Sequence, residues 1–87
     1  MNPERDEMQR LALWEAPVYV RIGRGMTETI DGPQEALTYL LSRWPAERGY
    51  HYRQAIADCT ETIEEYGSLE EAREAFVAAA IEAHILA

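Results

Sequence analysis

Cysteine and histidine are the residue types in this chain best suited to catalysis or metal binding, and both are scarce. The 87 residues include one cysteine, Cys59, and two histidines, His51 and His84. A nucleophilic cysteine needs a lowered pKa and access to solvent. Cys59 instead follows Asp58 on the apolar stripe of a predicted helix, and His51 lies about 12 Å away along that helix axis. We therefore predict a buried thiol with no catalytic role, and no catalytic residues elsewhere.

The two histidines are candidate metal ligands. An antiparallel pair of helices would bring His51 and His84 to the same end, where Glu82 or Glu47 could supply a further ligand. The sequence contains no HxxxH or CxxC spacing in support of such a site. The prediction is two solvent-exposed histidines, no metal site and no cofactor.

Arginine supplies every cation in the sequence. Guanidinium groups converging around the predicted hairpin and an interhelix connection could hold a carboxylate or phosphate, with tyrosine as a stacking wall. The alternative is that these arginines pair with surface glutamates. The candidate ligand-binding residues are Arg21, Arg24, Arg43, Arg48, Tyr50 and Arg53.

A β-hairpin is predicted after Pro17. Val18, Val20 and Ile22 alternate with polar or aromatic residues, which indicates a strand with one buried face. A turn at residues 23–25 leads to a return strand at 26–30. Two strands alone are marginally stable, and the sequence offers their edges no partner. We expect either helices over the edges or a homodimer through the hairpin edge strands, giving a four-stranded sheet.

Three helices are predicted after the hairpin. Pro33 suits the first position of one helix, which Trp44-Pro45 would end. A second helix is predicted from Tyr50 to Tyr66, and a capping box at Ser68 and Glu71 would begin the third. The short link between the last two favours an antiparallel helical hairpin.

These elements predict an α+β fold of order ββααα. Residues 13–87 would form a single compact domain after a flexible or weakly helical lead at residues 1–12. The predicted structural core comprises Trp14, Val18, Val20, Leu37, Leu40, Trp44, Ile56, Cys59, Ile63, Phe76 and Ala79.

The net charge of −8 is unevenly distributed. Residues 55–87 carry Arg73 as their one cation against eight acidic residues. Such a surface repels phosphate backbones, so we predict no nucleic-acid partner. Its glutamates form either a solvated face or a contact surface for a basic partner. The sequence has neither an apolar run long enough for a membrane span nor a secretory signal, so we expect a cytoplasmic protein with no membrane partner.

The order of features resembles a known family. Its elements are Trp14 with Pro17-Val18, the strand pair, Trp44-Pro45, the cysteine at position 59, and Ala72-Arg73 with Phe76. Together they are similar to the small bacterial family called domain of unknown function 982, found largely in rhizobia, over about residues 14–85. The resemblance implies a bacterial cytoplasmic protein of one small domain. It implies no activity, because that family has none assigned.

Two functions follow as hypotheses from the sequence. The first is a non-enzymatic protein-interaction or regulatory module that self-associates and binds an unknown protein partner. The alternative is a binder of a small anionic metabolite through the arginine and tyrosine cluster.

Overall fold

The computed structural model describes residues 12–45, 47–64 and 67–87. Its elements, in chain order, are β1 (Val18–Val20), β2 (Glu28–Ile30), α1 (Pro33–Ser42), α2 (Tyr50–Ile63) and α3 (Leu69–Glu82). The predicted ββααα order is confirmed. The predicted lead at residues 1–12 lies outside the described residues except for Ala12, and so do positions 65 and 66 at the end of the predicted second helix.

The hairpin is shorter than the sequence pattern predicted. Strands β1 and β2 are antiparallel, with Val18 opposite Ile30 and Val20 opposite Glu28. The turn explains the shortening, because Gly23 adopts a left-handed φ of 63° and the Gly25 N–H donates to the Ile22 carbonyl at 3.2 Å. Ile22 therefore belongs to the turn rather than to the ladder.

A C-terminal segment pairs with the other edge of β1. The Arg21 N–H donates to the Ile85 carbonyl at 2.8 Å, and the Ala87 N–H donates to the Tyr19 carbonyl at 2.9 Å. His84 adopts a left-handed φ of 61° directly before this segment, which redirects the chain at the end of α3. The expectation that both hairpin edges lack a partner in the sequence was wrong for β1. Residues 85–87 supply that partner.

Helix α1 begins and ends where proline requires. Pro33 occupies its first turn and lacks only an N–H that would be unpaired there anyway. Glu35 in the same turn accepts a hydrogen bond from the Asp31 N–H at 3.0 Å. The helix ends at Ser42, since Pro45 disfavours helical geometry at the residue before it.

The helical hairpin of α2 and α3 follows the predicted capping pattern. The Ser68 hydroxyl oxygen accepts a hydrogen bond from the Glu71 N–H at 3.2 Å, which satisfies one of the free amides at the start of α3. Small residues on both helices are fully buried between the layers of the fold, which allows close approach of the two backbones. These residues are Ala55, Cys59, Ala72, Ala79 and Ala80.

The core is centred on Phe76. Its ring packs against Trp14 and Trp44, with centroid separations of 5.8 and 5.5 Å. The other predicted core residues that are buried are Val18, Val20, Leu40, Cys59 and Ala79, while Leu37 and Ile56 are partly buried against the cluster.

Ile63 corrects the predicted core. Its side chain is 41% exposed, although its spacing placed it on the apolar stripe of α2. Ile63 is the final residue of that helix, and side chains at a helix end have fewer neighbours to cover them. Ile30 and Ile85, in contrast, are buried core residues that the predicted core omitted.

Candidate functional site

The predicted arginine cluster is divided among separate structural contacts. Arg43 forms a bidentate pair with Glu28 of β2, with both nitrogen–oxygen distances at 2.8 Å. The Tyr39 hydroxyl also donates to Glu28, and the Arg43 guanidinium stacks over the Tyr39 ring at 4.7 Å. The hydrogen bonds from Arg43 and Tyr39 hold the pKa of Glu28 below its usual value, and the hydrogen bond to Glu28 raises that of Tyr39. This triad fastens β2 to the end of α1.

Arg48 braces the connection between α1 and α2. Its guanidinium donates to the carbonyls of Trp44 and Pro45 at 3.0 and 3.2 Å. It also lies over the Tyr52 ring at 5.3 Å, and the Tyr52 hydroxyl donates to the Leu40 carbonyl at 2.8 Å. Arg48 therefore satisfies backbone oxygens that follow α1.

The remaining predicted ligand residues lie apart from a shared centre. Arg21 donates to the Gly25 carbonyl within the hairpin turn at 2.9 Å. Arg24, Tyr50 and Arg53 are exposed, and Tyr50 stacks edge-on against His51. Arg21, Arg43 and Arg48 thus each hold a separate turn or connection, and among the described residues no guanidinium groups are gathered around one pocket.

Glu82 caps the start of α2 from the end of α3. Its carboxylate accepts hydrogen bonds from the N–H groups of Gly49, His51 and Tyr52 at 3.0 to 3.2 Å. Partial desolvation alone would raise the pKa of Glu82, but these three donors outweigh it and lower the pKa. Gly49 permits the approach, because a Cβ atom there would lie 2.7 Å from a Glu82 carboxylate oxygen.

The cap accounts for Glu82, which the sequence offered as a metal ligand beside His51 and His84. Both histidines are exposed. Within the described residues, no group of three or more histidine, cysteine or carboxylate side chains is arranged to hold a metal ion. The Glu82 carboxylate is already directed at backbone amides.

Cys59 is fully buried in α2. Burial, with a smaller contribution from the charge of Asp58, raises its pKa to about 12. At pH 7 the side chain is therefore the neutral thiol rather than the reactive thiolate. The side chain acts as a small apolar group between the helices.

Two surface grooves flank Leu13. One has a volume of about 360 Å³ and lies against the start of α1, beside Gly32 and Glu35. The other, of about 410 Å³, lies beside Trp14 and Arg73. The Arg73 guanidinium donates to the carbonyls of Ala16 and Pro17 at 2.6 and 3.3 Å, so this cation also serves the fold.

The outer edge of β2 presents open backbone groups. The Tyr19 carbonyl points to the C-terminal segment, and successive residues of a strand direct their backbone groups to opposite sides. Val18 and Val20 therefore point towards β2, and their partners Ile30 and Glu28 point back. The N–H and C=O of Thr29 consequently point outward, and the described residues give them no backbone partner.

The sequence carried different signals for these features. Gly49 precedes α2 without a capping side chain of its own, but nothing local in the sequence identifies Glu82 as the acceptor. Nothing in the sequence pairs Glu28 with Arg43, because the two residues lie on different elements. The sequence predicted that the hairpin edges need helix coverage or another chain, but not which edge stays open.

Comparison with known proteins places the chain in a family. A sequence profile described as "Protein of unknown function (DUF982)" matches residues 16–87. The chain belongs to the DUF982 family. The fold is also similar to the NMR structure of the Agrobacterium tumefaciens protein Atu1219, at 35% identity and a TM-score of 0.73. That similarity covers 86% of this chain and 75% of the other. No curated protein matches the sequence.

Membership of DUF982 agrees with the resemblance expected from the tryptophan-proline and alanine-arginine-phenylalanine elements. It brings no catalytic residue with it, since the family is one of unknown function. In the part of the chain that the structure describes, no helix has the length and apolar character needed to cross a membrane.

Proposed function

We propose that this DUF982 protein is a non-enzymatic interaction module that self-associates through the outer edge of β2. The observation that carries the proposal is the outward-pointing backbone of Thr29, the exposed residue of β2. An open strand edge is a template for pairing with another chain, and this mode supplies main-chain hydrogen bonds without needing a side-chain pocket.

The contrast with β1 supports the edge of β2 as the contact surface. Residues 85–87 already occupy the far side of β1, so of the two hairpin strands it is β2 whose far side has no backbone partner among the described residues. Pairing there would join two hairpins into one continuous sheet, which relieves the marginal stability of a small sheet.

The chemistry of the side chains supports a binding role over catalysis. Cys59 is buried with a raised pKa, and the carboxylates of Glu28 and Glu82 are committed to Arg43 and to backbone amides. Arg43 is bonded to Glu28 and Arg48 to the Trp44 carbonyl. These contacts within the fold give no support to a metabolite site built from the predicted arginines.

The test is a proline at the open edge. Thr29→Pro removes the N–H that a second chain would use, and that N–H makes no hydrogen bond to β1, so the monomer should still fold. Thr29→Val is the matched control, because it keeps the N–H and the side-chain volume. Sedimentation equilibrium over a range of concentrations should show dimers for the wild type and Thr29→Val, and monomers for Thr29→Pro.

Two results would overturn the proposal. One is a wild-type protein that stays monomeric up to millimolar concentration. The other is a dimer whose affinity is the same in Thr29→Pro as in Thr29→Val, with circular dichroism showing both variants folded.

A further inference from the structure

We infer that two copies pair antiparallel about a two-fold axis at Glu28, so that Thr27 of each copy faces Thr29 of the other. This register rests on the proposed self-association and adds which residues meet. Three observations support it. The open stretch of β2 has a limit on each side, this register pairs every open backbone group within it, and Arg43 neutralises the charge of Glu28 at the axis.

The open stretch of edge is bounded on both sides. At Asp31, the N–H donates to the Glu35 carboxylate and the carbonyl accepts from the Trp14 N–H at 2.9 Å. Towards the turn, the Gly25 N–H is bonded to the Ile22 carbonyl. Between these limits Thr29 points outward, and Thr27, which directly precedes β2, takes the same direction when the strand geometry is extended by one residue. The described residues provide neither with a backbone partner.

An axis at Glu28 uses this whole stretch. Each Thr27 then faces a Thr29 and exchanges hydrogen bonds with it, as hydrogen-bonded pairs of an antiparallel ladder do. An axis at Thr29 would pair that residue with itself and place Thr27 against Asp31. Asp31 is already bonded to Trp14 and Glu35, so Thr27 would be left open.

The charge at the axis is compatible with this register. Glu28 would face its own copy across a non-hydrogen-bonded pair, at a Cα separation of about 4.5 Å. Unpaired like charges at such a position destabilise a sheet. Each Glu28 is held in a bidentate ion pair by Arg43, so two neutral pairs meet rather than two carboxylates.

Disulfide trapping tests the register. Thr27→Cys and Thr29→Cys are prepared separately, one of them carrying a size tag, and are oxidised alone and as a mixture. Facing Cα atoms in the proposed ladder are about 5.5 Å apart, within disulfide range, whereas diagonal positions are about 7–8 Å apart. The mixed disulfide should therefore exceed either single-variant disulfide by at least about 10-fold.

The chain offers its own controls for this experiment. Cys59 is buried, so the unmodified protein should not cross-link. Thr38→Cys places a thiol on the exposed face of α1 and measures random collision. Arg43→Gln, checked for folding by circular dichroism, should self-associate up to about 5-fold more weakly than the wild type, because it leaves the Glu28 carboxylates facing each other.

The outcomes separate the register from the proposed function. Efficient cross-linking of Thr29→Cys alone, or no cross-linking in a protein that sediments as a dimer, overturns the register but leaves self-association intact. A wild-type protein that sediments as a monomer overturns both. Predominant trapping of the mixed disulfide, with Thr38→Cys at background, supports the register.

Discussion

The outer edges of β1 and β2 differ in how they are covered. Along β1, the C-terminal residues Ile85 to Ala87 donate and accept backbone hydrogen bonds and bury Ile85 in the core. Along β2, side chains fasten the strand to α1 through Glu28 and Arg43, while the backbone of Thr29 faces outward. Side-chain anchoring therefore fixes a strand in place without closing its edge, and only backbone pairing does both.

A substitution at Ile85, the buried residue of the segment that covers β1, should give the largest effect on stability. Ile85→Ala removes a buried side chain beside β1, so we expect the free energy of unfolding to fall by about 2–4 kcal/mol. Leu86→Ala is the matched control, because its side chain is 42% exposed and should cost less than about 1 kcal/mol. Urea denaturation measures both, and equal losses would contradict the anchoring role of Ile85.

Amide hydrogen exchange sharpens the comparison without any mutation. The Arg21 N–H is bonded to the Ile85 carbonyl and should exchange at least about 10-fold more slowly than the Thr29 N–H in dilute solution. Raising the protein concentration should slow exchange at Thr29 and leave Arg21 unchanged. Equal exchange at both amides in dilute solution would show that the β2 edge is not open.

The Glu82 cap tests the other contact made by the C-terminal part of the molecule. Glu82→Gln should lower the melting temperature at pH 7 by several degrees, because a neutral amide is a weaker acceptor at a helix start. Glu74→Gln, an exposed position on α3, is the control and should change little.

The pH dependence of this effect has a definite sign. The pKa of Glu82 is lower in the folded protein, so its stabilising contribution is complete above its ordinary pKa and is lost as the pH falls through the folded value. The difference in melting temperature between Glu82→Gln and the wild type should therefore shrink on acidification below about pH 4.5. A difference that stays constant to pH 3 would contradict the carboxylate cap.

Salt should give the smallest effect, at the open edge. Each copy carries a net charge of −8, so two copies repel one another at low ionic strength. Raising the salt from about 0.05 to about 0.5 M should tighten self-association only a few-fold, because screening removes long-range repulsion while backbone pairing remains. Weaker association at high salt would indicate an interface dominated by ion pairs.

The helical part of the fold could be predicted because its signals are local. Pro33, Ser68 and Glu71 each mark a helix start through contacts within a few residues, and the period of the apolar residues gives the buried face. The sheet could be predicted only in part. Two apolar residues after α3 are too short a pattern to predict a strand, so the pairing of β1 with residues 85–87 was not predicted.

The candidate site was harder to predict because its decisive contacts are long-range. The sequence left two alternatives open for the arginines, a ligand cluster or pairing with surface glutamates. It does not say whether a guanidinium meets a ligand, a carboxylate such as Glu28, or a carbonyl such as that of Trp44. Glu82 was considered for its carboxylate chemistry, yet its partners are backbone amides of another helix. Such contacts depend on the packed fold.

The single thiol, buried between two helices, can serve as a built-in probe of how often the native packing opens. Since Cys59 is sealed between α2 and α3, an alkylating reagent can reach it only when the native packing opens. The rate of modification under native conditions therefore reports how often the packing between α2 and α3 opens, in any variant that has no other cysteine.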